Sequence, residues 1–194
     1  MSDKQYHHGD LRNALIETGI KMISEQGEEK LSLRKLAAAC GVSSAAPYSH
    51  FSGKEDMLHA MQEYITEQFM DYLQAAINKC EVSDGDEALV ALGKAYVLFF
   101  IQNPDYYRFL FSKDYIKVNL SIKEETKDNY PPFELLKNLY LKVNKKKQRK
   151  LSMDEQELEI IHLWACVQGI ASIAFMENVT WDKKWEDGIE RLIR

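Results

Sequence analysis

The sequence predicts an all-α protein, with a small N-terminal bundle of three helices joined by one long helix to a larger helical domain. Three observations support this prediction. Apolar residues recur at spacings of three and four along most of the chain, which is the period of an amphipathic helix. We find no segment with the alternation of a strand. Capping serines, glycines and prolines fall between the periodic segments, where helices begin and end.

The composition is that of a globular protein, because 45% of the 194 residues are hydrophobic and 28% are charged. The net charge is −5, yet residues 1–53 carry six basic and six acidic residues. The first residues, MSDKQYHHGD, contain no apolar stretch of a secretory signal, and the longest apolar runs are interrupted. Three cysteines without ligand spacing suit reduced thiols. We therefore expect a soluble, cytoplasmic protein.

Two short helices are predicted in SLRKLAAACGVSSAAPYSHF. Ser32 is placed to cap the first helix, and Gly41 tolerates the positive φ with which helices commonly end. The second helix follows at once, with Ser43 or Ser44 as its N-cap and Pro47 close to its start. We expect it to end near residues 50–51. This arrangement has the spacing of a helix-turn-helix, in which the second helix enters the DNA major groove.

A third helix leaves from a capping box formed by Ser52 and Glu55. It is predicted to run from Gly53 to about Ile77, because apolar residues repeat every fourth position along it. An earlier helix is predicted from Asp10, as N-cap, to Gly27. The first three helices must bury their apolar faces together, and the long helix connects them to the rest of the chain.

The segment GVSSAAPYSHFSGKEDML is similar to the TetR family of transcriptional regulators, and the leader YHHGDLRNALIETGIKMISEQG resembles that family's first helix. The resemblance covers residues 8–68, with the helix-turn-helix motif at 31–50. It implies a DNA-binding domain at 1–53 and an effector-binding and dimerisation domain at 54–194. It also implies backbone contacts to DNA by Ser32, Arg34, Tyr48 and Lys54.

The predicted recognition helix lacks basic residues, since no Lys or Arg occurs between Leu36 and Gly53. The arginine-to-guanine contact is therefore missing, and shape readout should supply part of the specificity. The candidate DNA-binding residues here are Ser43, Ser44, Ala45, Ala46, Tyr48, Ser49 and His50. Two alternatives stay open, a core position for Tyr48 and a buried capping role for His50.

An effector site is predicted where aromatic residues crowd two neighbouring helices, 88–102 and 104–111. Its candidate residues are Tyr96, Phe99, Phe100, Tyr107, Phe111, Trp164 and Gln168. An aromatic cavity with a few polar groups suits a small molecule, although a helical core has the same composition. The segment from Trp164 also resembles the Trp-x-x-x-His-Gly signature of one TetR subgroup, with Gln168 in place of histidine.

The C-terminal helices are predicted at 133–147, with a boundary at Pro131-Pro132, at 153–177 after a Ser152–Glu155 capping box, and from Trp181 with Thr180 as N-cap. The run KKKQRK at 145–150 is either a second nucleic-acid contact or a complement to the helix dipole, and we favour the latter. The last two helices carry so much apolar surface that we expect a homodimer, as in the TetR family. The candidate interface residues are Leu163, Val167, Ile170, Trp181, Trp185 and Ile189.

No catalytic constellation is present, and we expect no enzyme activity, no cofactor and no metal site. The sequence predicts a dimeric repressor that binds a pseudo-palindromic double-stranded operator and is released by a small-molecule effector. The alternative is a helical sensor or interaction module whose helix-turn-helix does not bind DNA.

Overall fold

A computed structural model describes residues 8–80, 85–112, 115–123, 129–176 and 178–194, with side chains from residue 11 onward. All regular secondary structure in these ranges is helical, which confirms the predicted all-α class. The α-helices are α1 (His8–Gln26), α2 (Leu33–Ala39), α3 (Lys54–Ile77), α4 (Gly85–Gln102), α5 (Pro104–Phe111), α6 (Pro131–Lys146), α7 (Met153–Ala174) and α8 (Trp185–Ile193). Short 3-10 turns form at Glu28–Lys30 and Ala46–Ser49.

The chain packs as two compact units that divide within α3. The N-terminal unit contains the described residues up to Ile65 together with those of Asp105–Tyr115, so it includes most of α5. The C-terminal unit contains Thr66–Pro104 and the described residues from Ile116 onward. The division into domains at residue 53 stays a prediction.

The N-terminal unit has a core in which α1, α2 and the first half of α3 bury their apolar faces. Leu15, Ile16 and Leu36 have no exposed surface, and Phe109 of α5 is equally buried. Helices α1 and α3 meet closely at Gly19, where an added Cβ would lie 2.0 Å from the terminal methyl of Met61. A larger residue there would push the two helices apart or displace that methionine.

The C-terminal unit has two aromatic centres in its core. In the first, Phe69 packs against Tyr96, Phe99 and Phe100 with ring centroids 4.7–5.2 Å apart. The second is a cluster of buried residues from the segment before α6, α6 itself and α7, namely Tyr130, Phe133, Tyr140 and Ile160. The first centre fixes α4 against the second half of α3, and the second fixes α6 against α7.

Several predicted helix boundaries are confirmed. Helix α6 begins at Pro131, and Ser152 and Glu155 form the predicted capping box of α7. Gly27 and Gly41 both adopt positive φ after the ends of α1 and α2. Helix α1 already includes Asp10, which is therefore not its N-cap. Helix α7 ends at Ala174, and the predicted limit at residue 177 lies outside the described residues.

The start of α8 was predicted wrongly. The helix begins at Trp185 with Lys184 as its N-cap residue, and Thr180 caps nothing. The reason is the position of Trp181, whose ring folds back onto Gly188, where an added Cβ would lie 2.1 Å from the indole. Trp181 also packs edge-on against Trp185 with ring centroids 4.7 Å apart. Gly188 therefore accommodates the chain's own tryptophan.

The basic run after α6 forms intramolecular contacts. Lys145 and Lys146 occupy the last turn of α6, and Arg149 binds the carboxylate of Glu159 through two nitrogens at 2.8 Å each. Tyr140 donates a hydrogen bond to the same carboxylate at 2.6 Å. Hydrogen bonds from Arg149 and Tyr140 hold the pKa of Glu159 below its usual value. This network joins the end of α6 to α7.

Among the residues that the structure describes, α7 is the one helix with the length and apolar composition to cross a membrane. This differs from our expectation that no apolar run is long enough. Length and composition alone are weak support for a membrane span, because an apolar core or interface helix shares them.

Candidate nucleic-acid interface and apolar cavity

Helix α2 is held at both ends by local hydrogen bonds. The hydroxyl of Ser32 accepts a hydrogen bond from the amide of Lys35 at 3.3 Å, as predicted for an N-cap. At the other end Gly41 has φ 68°, and the amide of Val42 donates to the carbonyl of Ala37 at 3.0 Å. This is a Schellman motif, which fixes the direction in which the chain leaves α2.

The predicted recognition helix is a 3-10 turn rather than an α-helix. The amides of Ala46, Tyr48 and His50 each donate to the carbonyl three residues earlier, at 3.0–3.1 Å. Pro47 lies in the middle of this segment and has no amide to donate, so the α-helical pattern is interrupted. The next amide that makes an α-type bond is that of Phe51, to the carbonyl of Pro47 at 2.9 Å.

The turn presents a polar, weakly charged surface. Tyr48 is 54% exposed, which rules out the alternative of a core aromatic. Pro47 and Phe51 face inward and are buried. The hydroxyl of Ser49 donates to the carbonyl of Ala46 at 2.7 Å, so its proton is already used within the turn. The other exposed candidates in this segment are Ser43, Ser44 and Ala45, and Ala46 is half-buried.

His50 is placed differently from a base-reading residue. Its Nε2 atom is buried and has no hydrogen-bond partner among the described residues. Its ring lies beside that of Phe51, with centroids 6.3 Å apart. One ring nitrogen therefore faces the protein interior, which favours the alternative of a buried residue over a contact made through Nε2.

All three helices of the N-terminal unit that precede or follow this turn carry cations. Arg34 and Lys35 of α2 are exposed, and Lys54 lies in the first turn of α3. Arg12 of α1, which we did not predict as a site residue, places its guanidinium 5.6 Å from the centre of the Phe51 ring. The sequence signal that could have identified Arg12 was its position on the polar face of α1. The charge that the turn itself lacks is supplied by its neighbours.

Lys54 is held by the 3-10 turn that follows α1. Its ammonium donates to the carbonyl oxygen of Glu28 at 2.7 Å and lies 3.7 Å from that residue's Oε1. The other carboxylate oxygen of Glu28 accepts a hydrogen bond from the hydroxyl of Tyr115. Neither Glu28 nor Tyr115 was predicted to belong to the site, because no local pattern connects residues this far apart in sequence.

The N-terminus of α3 has a different cap from the predicted one. The carboxylate of Asp56, rather than that of Glu55, accepts hydrogen bonds from the amide and hydroxyl of Ser52, at 2.7 and 3.1 Å. These bonds lower the pKa of Asp56, the amide having the larger effect. The capping interaction is one residue longer than in a capping box because α3 begins at Lys54.

An apolar cavity of about 50 Å³ lies within the C-terminal unit. Typical ligand pockets have about 300–1,000 Å³, so a ligand of ordinary size must widen this cavity. Helices α3, α4, α6, α7 and α8 all contribute to its wall. The lining residues include Leu73, Leu89, Leu92, Tyr96, Phe133, Leu136, His162, Leu163, Trp164, Cys166, Val167 and Ile193.

Only part of the predicted effector site lines this cavity. Tyr96 and Trp164 do, and the Tyr96 hydroxyl donates a hydrogen bond to Gln168. Phe99 and Phe100 instead pack against Phe69 in the core. Tyr107 and Phe111 belong to the N-terminal unit, where their rings lie 4.8 Å apart. These four residues were assigned from aromatic crowding, which does not separate a cavity wall from a core.

The predicted interface residues are mostly covered within the subunit. Val167, Ile170 and Ile189 are buried, and Leu163 lines the cavity. Of the six, Trp181 alone is classed as exposed, and Trp185 is half-buried beneath it. The prediction selected the inner face of α7, because a helix that is apolar on two sides gives no sign of which side faces a partner.

The outer face of α7 is an exposed apolar stripe. Leu158, Ala165, Gly169 and Ile173 follow spacings of seven and four, which places them on one face. Leu158 is 66% and Ile173 is 43% exposed. Between them Gly169 has open space around its Cβ position. We name Leu158, Ala165, Gly169 and Ile173 the outer stripe.

Among the described residues, no group of three or more His, Cys, Asp or Glu could hold a metal ion.

Residues 15–61 match the family model described as bacterial regulatory proteins, tetR family. The N-terminal helices therefore resemble a TetR-type domain. The match includes α2, the 3-10 turn and the start of α3, which are the elements that carry the candidate DNA contacts. It covers this domain and not the C-terminal unit.

The chain is also similar to a bacterial protein of known name. The chain is 28% identical over 137 residues to the nucleoid occlusion factor SlmA of Haemophilus ducreyi, covering 70% of this chain and 66% of that protein. A third of that relative therefore lies outside the alignment.

Solved structures extend the likeness in fold to nearly the whole chain. The fatty acid degradation regulator FadR of Bacillus halodurans has a TM-score of 0.71 at 17% identity, covering 98% of this chain and 96% of that one. AibR, solved in complex with isovaleryl coenzyme A and operator DNA, has a TM-score of 0.66 at 16% identity, covering 93% and 94%.

Proposed function

We propose that the protein is a TetR-family transcriptional regulator, most simply a repressor that a small molecule releases from its operator. The observation that carries this proposal is the TetR-type domain, with Tyr48 exposed on a turn flanked by Arg34 and Lys54. The all-helical fold shared with AibR, a protein solved with operator DNA, supports it.

DNA recognition would rest on position more than on charge. Ser44, Ala45 and Tyr48 face solvent and offer one methyl group and hydroxyls to the groove. Alanine methyls can contact thymine methyls, and hydroxyls can bond base edges or phosphates. Ser32, Arg34 and Lys54 would bind the phosphate backbone and set the register. Sequence preference should therefore depend partly on DNA shape.

A homodimer would present two such turns to a pseudo-palindromic operator. The outer stripe of α7 suits this interface, because it is apolar, exposed and carries two small residues that let helices approach closely. Two recognition turns bound to one face of B-DNA lie about 34–36 Å apart, or a multiple of that distance.

The effector would bind in the apolar cavity of the C-terminal unit. No Lys, Arg, Asp or Glu lines the cavity, so we infer an uncharged, apolar ligand or the apolar chain of a larger one. The neighbours fit this class, since FadR is a fatty acid degradation regulator and the AibR structure contains isovaleryl coenzyme A. The ligand must bind the DNA-free conformation more tightly, by about 1–3 kcal/mol for a typical coupling.

Mobility shifts of labelled genomic fragments over a salt series test the proposal. We expect binding to a small set of fragments, protection of a two-fold symmetric sequence, and release by apolar small molecules. A protein that binds no duplex at low ionic strength would refute the regulator assignment and leave the alternative of an interaction module.

The name of the relative SlmA, a nucleoid occlusion factor, favours a second candidate function in which the protein acts on the nucleoid as a whole. Chromatin immunoprecipitation separates the two candidates. Binding sites confined to promoters indicate a transcriptional regulator. Binding sites spread along the chromosome and lying outside promoters indicate the second function.

A further inference from the structure

The carboxylate of Glu28 lies between Lys54 and Tyr115, all within the N-terminal unit. Its Oε2 accepts the hydroxyl hydrogen bond of Tyr115, and its Oε1 lies 3.7 Å from the ammonium of Lys54. The same ammonium donates to the backbone carbonyl of Glu28 at 2.7 Å. Two donors therefore face one carboxylate, one at each oxygen.

The two contacts with this carboxylate are unequal. The phenol makes a hydrogen bond, whereas a separation of 3.7 Å is longer than the 2.7–3.2 Å of an N–H···O hydrogen bond. The Glu28 side chain is only 16% exposed, and a largely buried carboxylate needs donors. With the phenol bound at Oε2, the carboxylate makes only the longer ion pair with the ammonium of Lys54 through Oε1.

Tyr115 is fixed from both sides. Its ring stacks on Phe109 with centroids 4.8 Å apart and planes 9° from parallel. Its carbonyl oxygen accepts a hydrogen bond from the side chain of Gln62 at 2.6 Å. Burial raises the pKa of the Tyr115 phenol most, and the hydrogen bond to Glu28 raises it further. The phenol is therefore protonated and can donate at physiological pH.

The chain passes from one unit to the other at the peptide bond between Tyr115 and Ile116. Within the C-terminal unit, Ile116 and Val118 pack against the cluster that contains Phe133. Phe133 also lines the apolar cavity. Widening the cavity at Phe133 would displace the residues that directly follow Tyr115 in the chain.

We propose that Tyr115 is a positioning residue for DNA binding, which keeps Lys54 available to a DNA phosphate by occupying Glu28. When the segment after Tyr115 moves, the phenol withdraws and the carboxylate of Glu28 captures the ammonium. The phosphate contact is then lost. This inference rests on the proposed function, in which Lys54 binds the DNA backbone.

The test uses the full chain and a labelled duplex selected by the wild-type protein from a randomised library. Tyr115→Phe removes the hydroxyl and keeps the ring on Phe109. We expect several-fold weaker binding at about 50 mM salt and a salt slope that falls towards that of Lys54→Ala, by up to about 0.9 per subunit. Glu28→Gln/Tyr115→Phe should restore affinity and slope, because the competing charge is absent.

Tyr64→Phe is the matched control, since it removes a tyrosine-to-carboxylate hydrogen bond of the same unit, to Glu17, away from Lys54. It should leave binding unchanged, and thermal unfolding of each variant reports on folding. Wild-type slope in Tyr115→Phe, or a loss that persists with Glu28→Gln, would overturn the inference while the regulator assignment stands. A wild-type protein for which no duplex can be selected would overturn both.

Discussion

Replacing Lys54 with alanine should weaken binding to all DNA sequences alike. The Lys54 ammonium has three donors, of which one is bound to the carbonyl of Glu28. The side chain is 34% exposed at the N-terminus of α3, where free amides also attract phosphate. A cation in this position reads no base, so its loss should change affinity without changing sequence preference.

The magnitude follows from counterion release. Each phosphate contact contributes about 0.9 to the slope of log K against log salt, so a dimer that loses two contacts loses about 1.8. Between about 50 and 200 mM salt, the wild-type affinity should therefore fall about tenfold more than that of Lys54→Ala. The difference between the two proteins should shrink steadily as salt rises.

Fluorescence anisotropy with a labelled duplex over this salt range measures both slopes. Lys21→Ala is the control, because it also removes one cation from the N-terminal unit. Lys21 lies on α1, where it is exposed and its ammonium is 3.9 Å from the carboxylate of Glu25. It should leave the slope unchanged. A Lys54→Ala protein with altered base preference and the wild-type slope would refute the assignment of Lys54 to the phosphate backbone.

Three further perturbations test the other parts of the proposal. Leu158→Asp and Ile173→Asp should each convert the dimer to a monomer in sedimentation velocity, because each buries a carboxylate in the proposed interface; a dimer that survives both places the interface elsewhere. Leu163→Phe should fill the cavity, preserve DNA binding and abolish release from DNA by octanol, so undiminished release would contradict the cavity site. Hydrogen bonds to Glu159 lower its pKa, so its contribution to stability is present above the unfolded-state pKa of about 4.5 and is lost as pH falls. The free energy of unfolding should then fall more steeply below that pH in the wild type than in Glu159→Gln, and equal slopes would exclude this role.

Sequence patterns predicted the elements whose causes are local. Ser32, Gly41, Pro131 and the Ser152 capping box each act within a few residues, and the structure places all four as predicted. The exposed position of Tyr48 also follows from local causes, since Pro47 and Phe51 occupy the inward side of the same turn. The predicted type of that turn was wrong. We treated Pro47 only as a residue tolerated near the start of an α-helix, whereas its missing amide interrupts the α-helical hydrogen bonds.

Contacts between distant residues could not be read from the sequence. Aromatic crowding selected Tyr96 and Trp164, which line the cavity, together with Phe99 and Phe100, which pack in the core, because core and cavity wall share one composition. The role of Trp181 was missed for the same reason. A tryptophan followed by glycine seven residues later predicts a close contact, but not whether a partner or the chain itself makes it.

The inner and outer faces of α7 show that periodicity cannot tell which side of a helix is buried when both sides are apolar. Val167 and Ile170 are buried in the subunit, while Leu158 and Ile173, at equally regular spacings, are exposed. Hydrophobicity cannot rank these faces, but residue size can. The outer stripe carries Ala165 and Gly169, and beyond its own chain neighbours and helix backbone no atom of the described chain lies within 4 Å of the Cβ position of Gly169. A large exposed apolar residue on each side of two small ones is a pattern that suits packing against a second helix more than solvent. The same size pattern is visible in the sequence, and it favours the outer face of α7 as the proposed dimer interface.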